Sequence, residues 1–484
     1  MDLSIYDSGY VIKRVCHQTC PLFLVIGNIF TGLGTIIPVC YNETDSEGSS
    51  TRRELLLWDN GGIVMMEETT KSGKFGRKVV QVHEAQQKLM AYASPLEMEN
   101  VPIRQSAGRR LAEDITAPHP FPAFNRSGMD GYAVIAADTG AARDEETVWL
   151  RVVDEIPCGF VSEAKITPGT AARIMTGAQV PEGADAVVML EATMTREEDG
   201  VSWVGVRTVI QAGRNVTPRG FEIRSGDKVL EAGRQITAGD IAVLAAFGIA
   251  EIPVIRRPKA AIFATGSELL GVGDPLQPGK IRDSNSPMLE VLIREAGGEP
   301  VMLGAIADDL ELARTKVEMA LEAYDLVITI GGVSVGDYDI MGDLIREDPD
   351  GMLFNKVAMR PGSVTTAAVR GGTPIIALSG NPGACFVGFH LFAYPVLAAM
   401  QGAPSPFLPE GVAVLAKDYQ KVNNFTRFVR ARLELQDGVM HAYPASIDES
   451  SVMVTIKDSD CLLVVSPDER GLIAGSKVRF IKLP

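Results

Sequence analysis

The chain has 484 residues, 46% hydrophobic and 22% charged, with a formal net charge of −15. That length allows roughly three to five compact units. The acidic balance argues against a general nucleic-acid or membrane-surface binder, while leaving room for a local basic pocket around a small anion. Six scattered cysteines and five dispersed histidines offer no disulfide frame and no zinc spacing, which points to a reducing, cytoplasmic setting.

Residues 1–65 differ in character from the rest of the chain. The run 20–40 is apolar but interrupted by Pro21, Gly27, Asn28, Gly32, Gly34 and Pro38. By length alone it is conceivable as a membrane helix, and Lys13 and Arg14 give it the charged end of a poor secretory signal. Residues 42–53 are polar and read as disordered. The preferred reading is a dispensable extension, or a mis-set start, ahead of a domain beginning near Met66; a signal or anchor and a short folded element are the alternatives.

Residues 82–93 carry a helical pattern with Val82, Ala85, Leu89 and Met90 on one side. Residues 104–114 read as a second helix, and Pro118, Pro120 and Pro122 then stop any regular element. Strands at 148–156, 171–175 and 186–190 lie between Gly and Pro turns, so this part is β-rich. Residues 237–248 form a helix with Ile241, Leu244 and Ala245 facing one way and Gly248 as its C′ residue.

From residue 256 the character changes. Strands at 259–264, 299–303, 326–330 and 375–378 alternate with helices at 286–296, 310–323 and 384–400. That alternation predicts a parallel sheet with right-handed crossovers, whose ligands sit beyond the carboxyl ends of the strands. Four polar clusters fall at those ends: residues 265–268, 283–285, 331–336 and 378–383. In the third, Gly331, Gly332 and Gly336 tolerate positive φ and let a ligand approach the backbone. Ser334 shares that turn, Asp337 and Asp339 come next, and residues 340–346 can form a helix. This is an anion site with carboxylates placed for a hydrated Mg2+ bridging to phosphate; the plainer alternative is a βα turn with Asp339 as helix N-cap. After Pro404, Pro406 and Pro409, short strands at 412–415, 428–435, 461–465 and 477–481 read as a small β domain without a catalytic constellation. There is no internal repeat, no heptad run and no Ser-His-Asp arrangement.

Several stretches together resemble the molybdopterin molybdenumtransferase family, which includes the enzymatic domain of gephyrin. They are FNRSGMDGYA at 124–133, RIMTGA at 173–178, PEGADAVV at 181–188, ATGSEL at 264–269, DSN at 283–285, GGVSVG at 331–336 with Asp339, and GNP at 380–382. Their order and spacing fit over residues 80–484. The resemblance implies an α/β multidomain fold: a three-layer parallel-sheet molybdopterin-binding domain at 258–400, a β-rich domain over the active cleft at 120–222, a helical linking region at 66–119 completed by 223–257, and a small C-terminal β domain at 401–484. It also implies an elongated homodimer, molybdopterin adenylyltransferase and molybdoenzyme apoproteins as partners, and no nucleic acid or membrane. The implied reaction inserts molybdenum from molybdate into adenylylated molybdopterin and releases AMP, with Mg2+.

Carried over residue by residue, the resemblance makes Asp130 (from the partner subunit), Thr176, Glu268, Asp283, Asp339 and Lys356 catalytic, with Asp283 and Asp339 facing the metal. Glu222, Gly331, Gly332, Ser334, Gly336, Arg360, Pro361, Gly362, Gly380, Asn381 and Pro382 become cofactor-binding. Lys356 and Arg360 are expected to hold molybdate or the pyrophosphate. The chain departs from the family at Gly220-Phe-Glu222, where Gly-Glu-Asp is usual, and at Thr217, where many members have Arg. Arg360 and Ser363 stand in place of lysines, and Ser379 stands in place of a proline. A non-catalytic molybdopterin carrier or scaffold, a tungstate-specific relative, and an enzyme acting on another nucleotide are the alternative readings.

Overall fold

The computed structural model describes residues 3–6, 10–13, 52–59, 62–69, 79–306, 310–331, 351–421, 424–467 and 471–484. The apolar run 20–40 and the turn 332–350, with Gly332, Ser334, Gly336 and Asp339, lie outside the described residues. The chain divides into two compact units, residues 97–256 and the remainder.

In the 97–256 unit a six-stranded sheet runs in the order Ala186–Met189, Gly131–Val134, Thr170–Ile174, Val148–Ile156, Val201–Val206, Thr193–Glu198. Core clusters form on both of its faces, which is why its central strands read as near-continuous apolar runs. The helix expected at 104–114 is absent. A short 3₁₀ turn, Ile103–Gln105, is followed by Gly108 at φ +76°, and Arg110 and Leu111 then bridge to Gln235 and Val254. Leu111 is buried by that extended pairing, so its apolar surface is satisfied without a helical face. The linking stretch is accordingly ribbon-like: Met98–Pro102 pairs with Glu251–Ile255, and Ile115–Thr116 with Lys228–Leu230. Its one α-helix, Ala238–Ala246, starts at a capping box between Thr237 and Asp240. Gly248 sits beyond its end at φ +71°, as a C′ residue should. Leu244 faces the core, but Ala245 is exposed and Phe247 is buried instead.

The second unit holds a six-stranded sheet in the order Glu299–Ile306, Lys259–Thr265, Leu326–Ile330, Thr373–Leu378, Thr366–Arg370, Met352–Phe354. The first four strands are parallel, Thr366–Arg370 runs against them, and Met352–Phe354 pairs antiparallel to Thr366–Arg370. Asn285–Glu295 and the helical run Pro382–Met400 pack on one face, and Leu310–Ala323 on the other, giving three layers. The Pro382–Met400 run has the length and apolarity to cross a membrane, yet 94% of its most apolar window is buried inside the protein. A π-helical turn, Phe389–Ala393, interrupts it, and the Leu391 carbonyl accepts a hydrogen bond from Gln86 Nε2 at 3.0 Å. Gln86 belongs to the Val82–Met90 helix, where the expected positions Ala85 and Leu89 are buried.

The C-terminal strands close on themselves. Thr426–Gln436, Val439–Pro444, Glu410–Leu415, Lys477–Lys482 and Cys461–Val465 pair in a ring that returns to Thr426–Gln436, so the barrel leaves no open edge. Met359–Arg360 joins this barrel from the sheet domain, parallel to Thr426 and Arg427.

Two hairpins lie ahead of residue 79: Leu3–Tyr6 with Tyr10–Lys13, and Arg52–Asp59 with Gly62–Thr69. The polar stretch expected to be disordered to residue 53 therefore ends earlier, because Arg52 and Arg53 open the second hairpin. Asn60-Gly61, a strong two-residue turn signal, lies between its strands and is the sequence feature that marks this hairpin. Side chains are described from residue 79 onward, and Val80 already has a place in a hydrophobic core. Removing residues 1–65 is expected to leave the thermal midpoint and the sedimentation mass unchanged; loss of solubility or folding refutes this.

Candidate active site

Members of the four polar clusters meet at the carboxyl edge of the parallel strands, the third of them through Gly331, its one described residue. Thr265 Oγ1 donates to the Ile330 carbonyl at 2.8 Å, and the Gly331 N–H donates to Leu378 O at 3.0 Å. Gly331 sits at φ +80°, and a Cβ there would lie 2.8 Å from Thr265 Oγ1, so this crossing needs glycine. Asn285 Nδ2 donates to Gly380 O at 2.7 Å and ties the helix after Asp283 to the 380–382 turn. A parallel ribbon, Leu269–Leu270 with Ile281–Arg282, returns the chain from Glu268 to Asp283. Its continuation is a pair of bonds, Ile281 N–H to Glu268 O and Asp283 N–H to Leu270 O, both at 2.9 Å.

Asp283 has a structural duty as well as a candidate chemical one. Its Oδ1 accepts the N–H groups of Asn285 at 3.1 Å and Ser286 at 3.0 Å, capping the Asn285–Glu295 helix. Beside it, Asn285 Oδ1 and Ser286 Oγ are buried without a hydrogen-bond partner. Buried polar atoms are rarely left so unless a ligand, ion or water completes them.

The 380–382 turn offers less to an anion than its sequence promises. Pro382 has no N–H, Gly383 N–H is taken by Ser450 O at 2.9 Å, and the Ala384 and Cys385 N–H groups bond Asn381 O. Asn381 N–H is directed at Ser379 Oγ at 3.3 Å, which leaves the Gly380 amide. Arg430, fully buried, lies against this turn: a Cβ on Gly383 would sit 2.2 Å from its Nη1.

The basic segment lies nearby. Val357, Ala358 and Met359 are buried as expected, and Val357 N–H donates to Ser363 O. Gly362, at φ +90°, faces the first turn of the 382–388 helix, where its Cβ would lie 3.5 Å from Ala384 O. Pro361 is the residue between Gly362 and the exposed Arg360, and Lys356 is half-buried. Among the described residues neither the Lys356 nor the Arg360 head has an acid partner.

In the other unit, Asp130 and Thr176, 46 residues apart, come together. The Thr176 N–H and Oγ1 both donate to Asp130 Oδ1, at 2.6 and 3.0 Å. Those two bonds, helped by the Arg173 charge, hold the Asp130 carboxyl below the usual carboxylate range. Asp130 is therefore a fixed negative charge at neutral pH and not a proton donor. Gly131, next to it, cannot be replaced cheaply, since a Cβ would lie 1.9 Å from Val188 O. Glu222 pairs with Arg126 Nη2 at 3.1 Å, an exposed contact of small energetic value.

Three family models match the chain: "MoeA N-terminal region (domain I and II)" over 80–248, "Probable molybdopterin binding domain" over 261–399 and "MoeA C-terminal region (domain IV)" over 412–483. The molybdopterin molybdenumtransferase of Bacillus subtilis (strain 168) is 44% identical over 405 residues, covering 84% of this chain and 94% of that protein. This chain belongs to the molybdopterin molybdenumtransferase family. The family's protein from Staphylococcus aureus (strain N315) is 41% identical, over 84% of this chain and 96% of its own. The crystal structure of the molybdopterin biosynthesis moeA protein from Pyrococcus horikoshii OT3 is 30% identical, with a TM-score of 0.72, over 84% of this chain and 100% of that one.

Sequence reading misses the residues that reach this family's candidate site from far along the chain. Ser450 and Arg430 come from the barrel, where the sequence shows no catalytic constellation. Arg173 opens the RIMTGA motif, but its role emerges only in three dimensions. Its guanidinium donates to Gly131 O and Ile174 O and stacks on Tyr132 at 5.5 Å.

Proposed function

We propose that this chain inserts molybdenum from molybdate into adenylylated molybdopterin and releases AMP. The observation that carries the reading is the meeting of Thr265, Asp283, Asn285, Gly331 and Gly380 at one sheet edge, within the segment matched as a probable molybdopterin binding domain. In this reading the Gly331 turn and the Gly380 amide receive phosphate oxygens. Lys356 and Arg360, with no acid competing for them among the described residues, hold the oxyanion.

Mg2+ takes hard oxygen ligands and keeps several waters, and the Asp283 carboxylate beside two orphaned oxygens, Asn285 Oδ1 and Ser286 Oγ, fits that demand. Asp283 and Asp339 would hold it. When bound, it offsets negative charge on the phosphate that leaves as AMP. Asp130, ionised and fixed by Thr176, contributes a charge and not a proton.

We further propose a cytoplasmic homodimer in which Asp130 of one protomer serves the sheet-edge acids of its partner. An adenylyltransferase acting on molybdopterin supplies the substrate, and apoproteins of molybdoenzymes accept the product. AMP release on adding molybdate to the protein with adenylylated molybdopterin tests the function, with tungstate as a second arm. Binding without AMP release favours a carrier. Mixed dimers of Asp130→Ala and Asp283→Ala chains should recover about a quarter to half of parental activity per dimer, since only one of two sites is intact. Inactive mixed dimers from folded parents defeat the shared site.

A further inference from the structure

A cleft of about 520 Å3 opens in the 97–256 unit between Pro120 and the turn 218–227. Phe221 stands on its wall with 71% of its surface exposed. The turn holds that ring outward. Phe221 N–H donates to Pro218 O at 3.1 Å, Gly220 N–H to Pro122 O at 2.9 Å, and Glu222 N–H to Phe121 O at 3.0 Å. The ring is thus presented on a fixed backbone.

Four charged side chains share the wall: Arg219, Glu222, Arg224 and Asp227. Of the two acids only Glu222 has a cationic partner among the described residues, and Asp227 keeps its charge, accepting a backbone N–H alone. Glu222 pairs with Arg126, and Asp227 Oδ2 accepts the Arg224 N–H at 3.0 Å. Among the described residues neither the Arg219 nor the Arg224 guanidinium has an acid partner. With Arg126 counted beside its partner Glu222, three guanidiniums face two carboxylates and leave one positive charge over, in a chain whose net charge is −15. An exposed aromatic ring that shares a wall with two guanidiniums matches a flat ring that carries phosphate, because the ring stacks and the planar forks bind the anion.

We propose that this cleft binds the flat, phosphate-bearing heterocyclic part of the substrate, with Phe221 stacked on the ring and Arg219 and Arg224 on the phosphate. This rests on the function given above. The substrate has two such heterocycles, the pterin and the adenine, and the test separates them.

The full-length Phe221→Trp protein is titrated with AMP in one arm and pterin-6-carboxylate in the other, following tryptophan fluorescence. One of the two should quench it saturably, and Arg219→Ala or Arg224→Ala should weaken that binding and lower its salt dependence. In AMP-release kinetics, Phe221→Ala should raise KM for the pterin substrate about 5- to 100-fold with kcat within about twofold, and Phe221→Tyr should restore it. The proposal is overturned if neither probe quenches and KM does not move. It is also overturned if Phe221→Ala lowers the sedimentation mass, since the ring then serves a contact between copies. A parent protein that releases no AMP defeats the functional reading alone, because the titration still decides the cleft.

Discussion

Asp283→Asn is expected to fold with near-parental stability and to release AMP at least about 100-fold more slowly, a transition-state loss of about 2.7 kcal/mol or more. The two consequences separate because Asp283 does two things. Its Oδ1 caps the Asn285–Glu295 helix, and an asparagine amide oxygen accepts the same two N–H groups. What asparagine lacks is the charge that the proposed Mg2+ would need. Asp283→Ala removes both and should add a stability cost of about 0.5–2 kcal/mol, the usual loss of a cap. The paired measurements are chemical denaturation and the Mg2+ dependence of AMP release. A fast Asp283→Asn enzyme with an unchanged Mg2+ requirement would leave this residue as a cap and nothing more.

Arg430→Ala should be the most damaging single change to the barrel, costing about 3–5 kcal/mol, because it empties a large buried volume and strands polar groups. The guanidinium donates to Val452 O at 2.7 Å and Glu449 O at 3.1 Å. Without it the 449–452 segment loses its anchor, and with it the Ser450 carbonyl that takes the Gly383 N–H. Urea unfolding reads the first effect, and a rise in KM for the pterin substrate reads the second.

The neighbouring Asp448 gives this a pH signature. Burial raises its pKa, but bonds from Lys421, Tyr419 and Arg427 outweigh that and hold the carboxyl below its usual range. A depressed folded pKa means the contribution is complete above the unfolded value, near about 4, and is lost as pH falls through the lower folded value. The stability gap between the parent and Asp448→Asn should therefore narrow below about pH 4. A gap that widens with acid contradicts the arrangement.

The parallel sheet was legible because burial on both faces leaves unbroken apolar runs. Residues 310–323 and 326–330 form the helix and strand that their patterns imply. Cys461–Val465 was equally clear for the same reason. Residues 104–114 misled because Ala107 and Leu111 stand four apart, a helical spacing, while the partners of Arg109 and Leu111 lie far off. Arg109 bonds Glu99 at 2.5 Å and Ile255 O at 2.8 Å, and tertiary pairing overrides the local preference. At the candidate site, the placing of Thr265, Asp283, Gly331 and Gly380 at the sheet edge was readable, since strand ends and turns announce themselves. Asp130 and Thr176 could be joined only through the motifs that contain them, and nothing local says that their hydrogen bonds meet. Ser450 and Arg430 carry no local signal at all, because what matters is a loop arriving from another strand order.

The Pro382–Met400 helix has a consequence for how the protein is made. Its residues Phe389, Leu391 and Phe392 share one core cluster with Phe428, Leu462, Ile481 and Leu483 of the barrel. Ile481 and Leu483 leave the ribosome roughly 4 to 16 s after the helix does, at ordinary rates of synthesis. Through that interval a segment apolar enough to enter a bilayer has only part of its cover. Chaperones that bind apolar segments therefore have a defined window on this chain. A message cut short before residue 461 would yield a protein that never closes that window, marked for proteolysis by its own central helix.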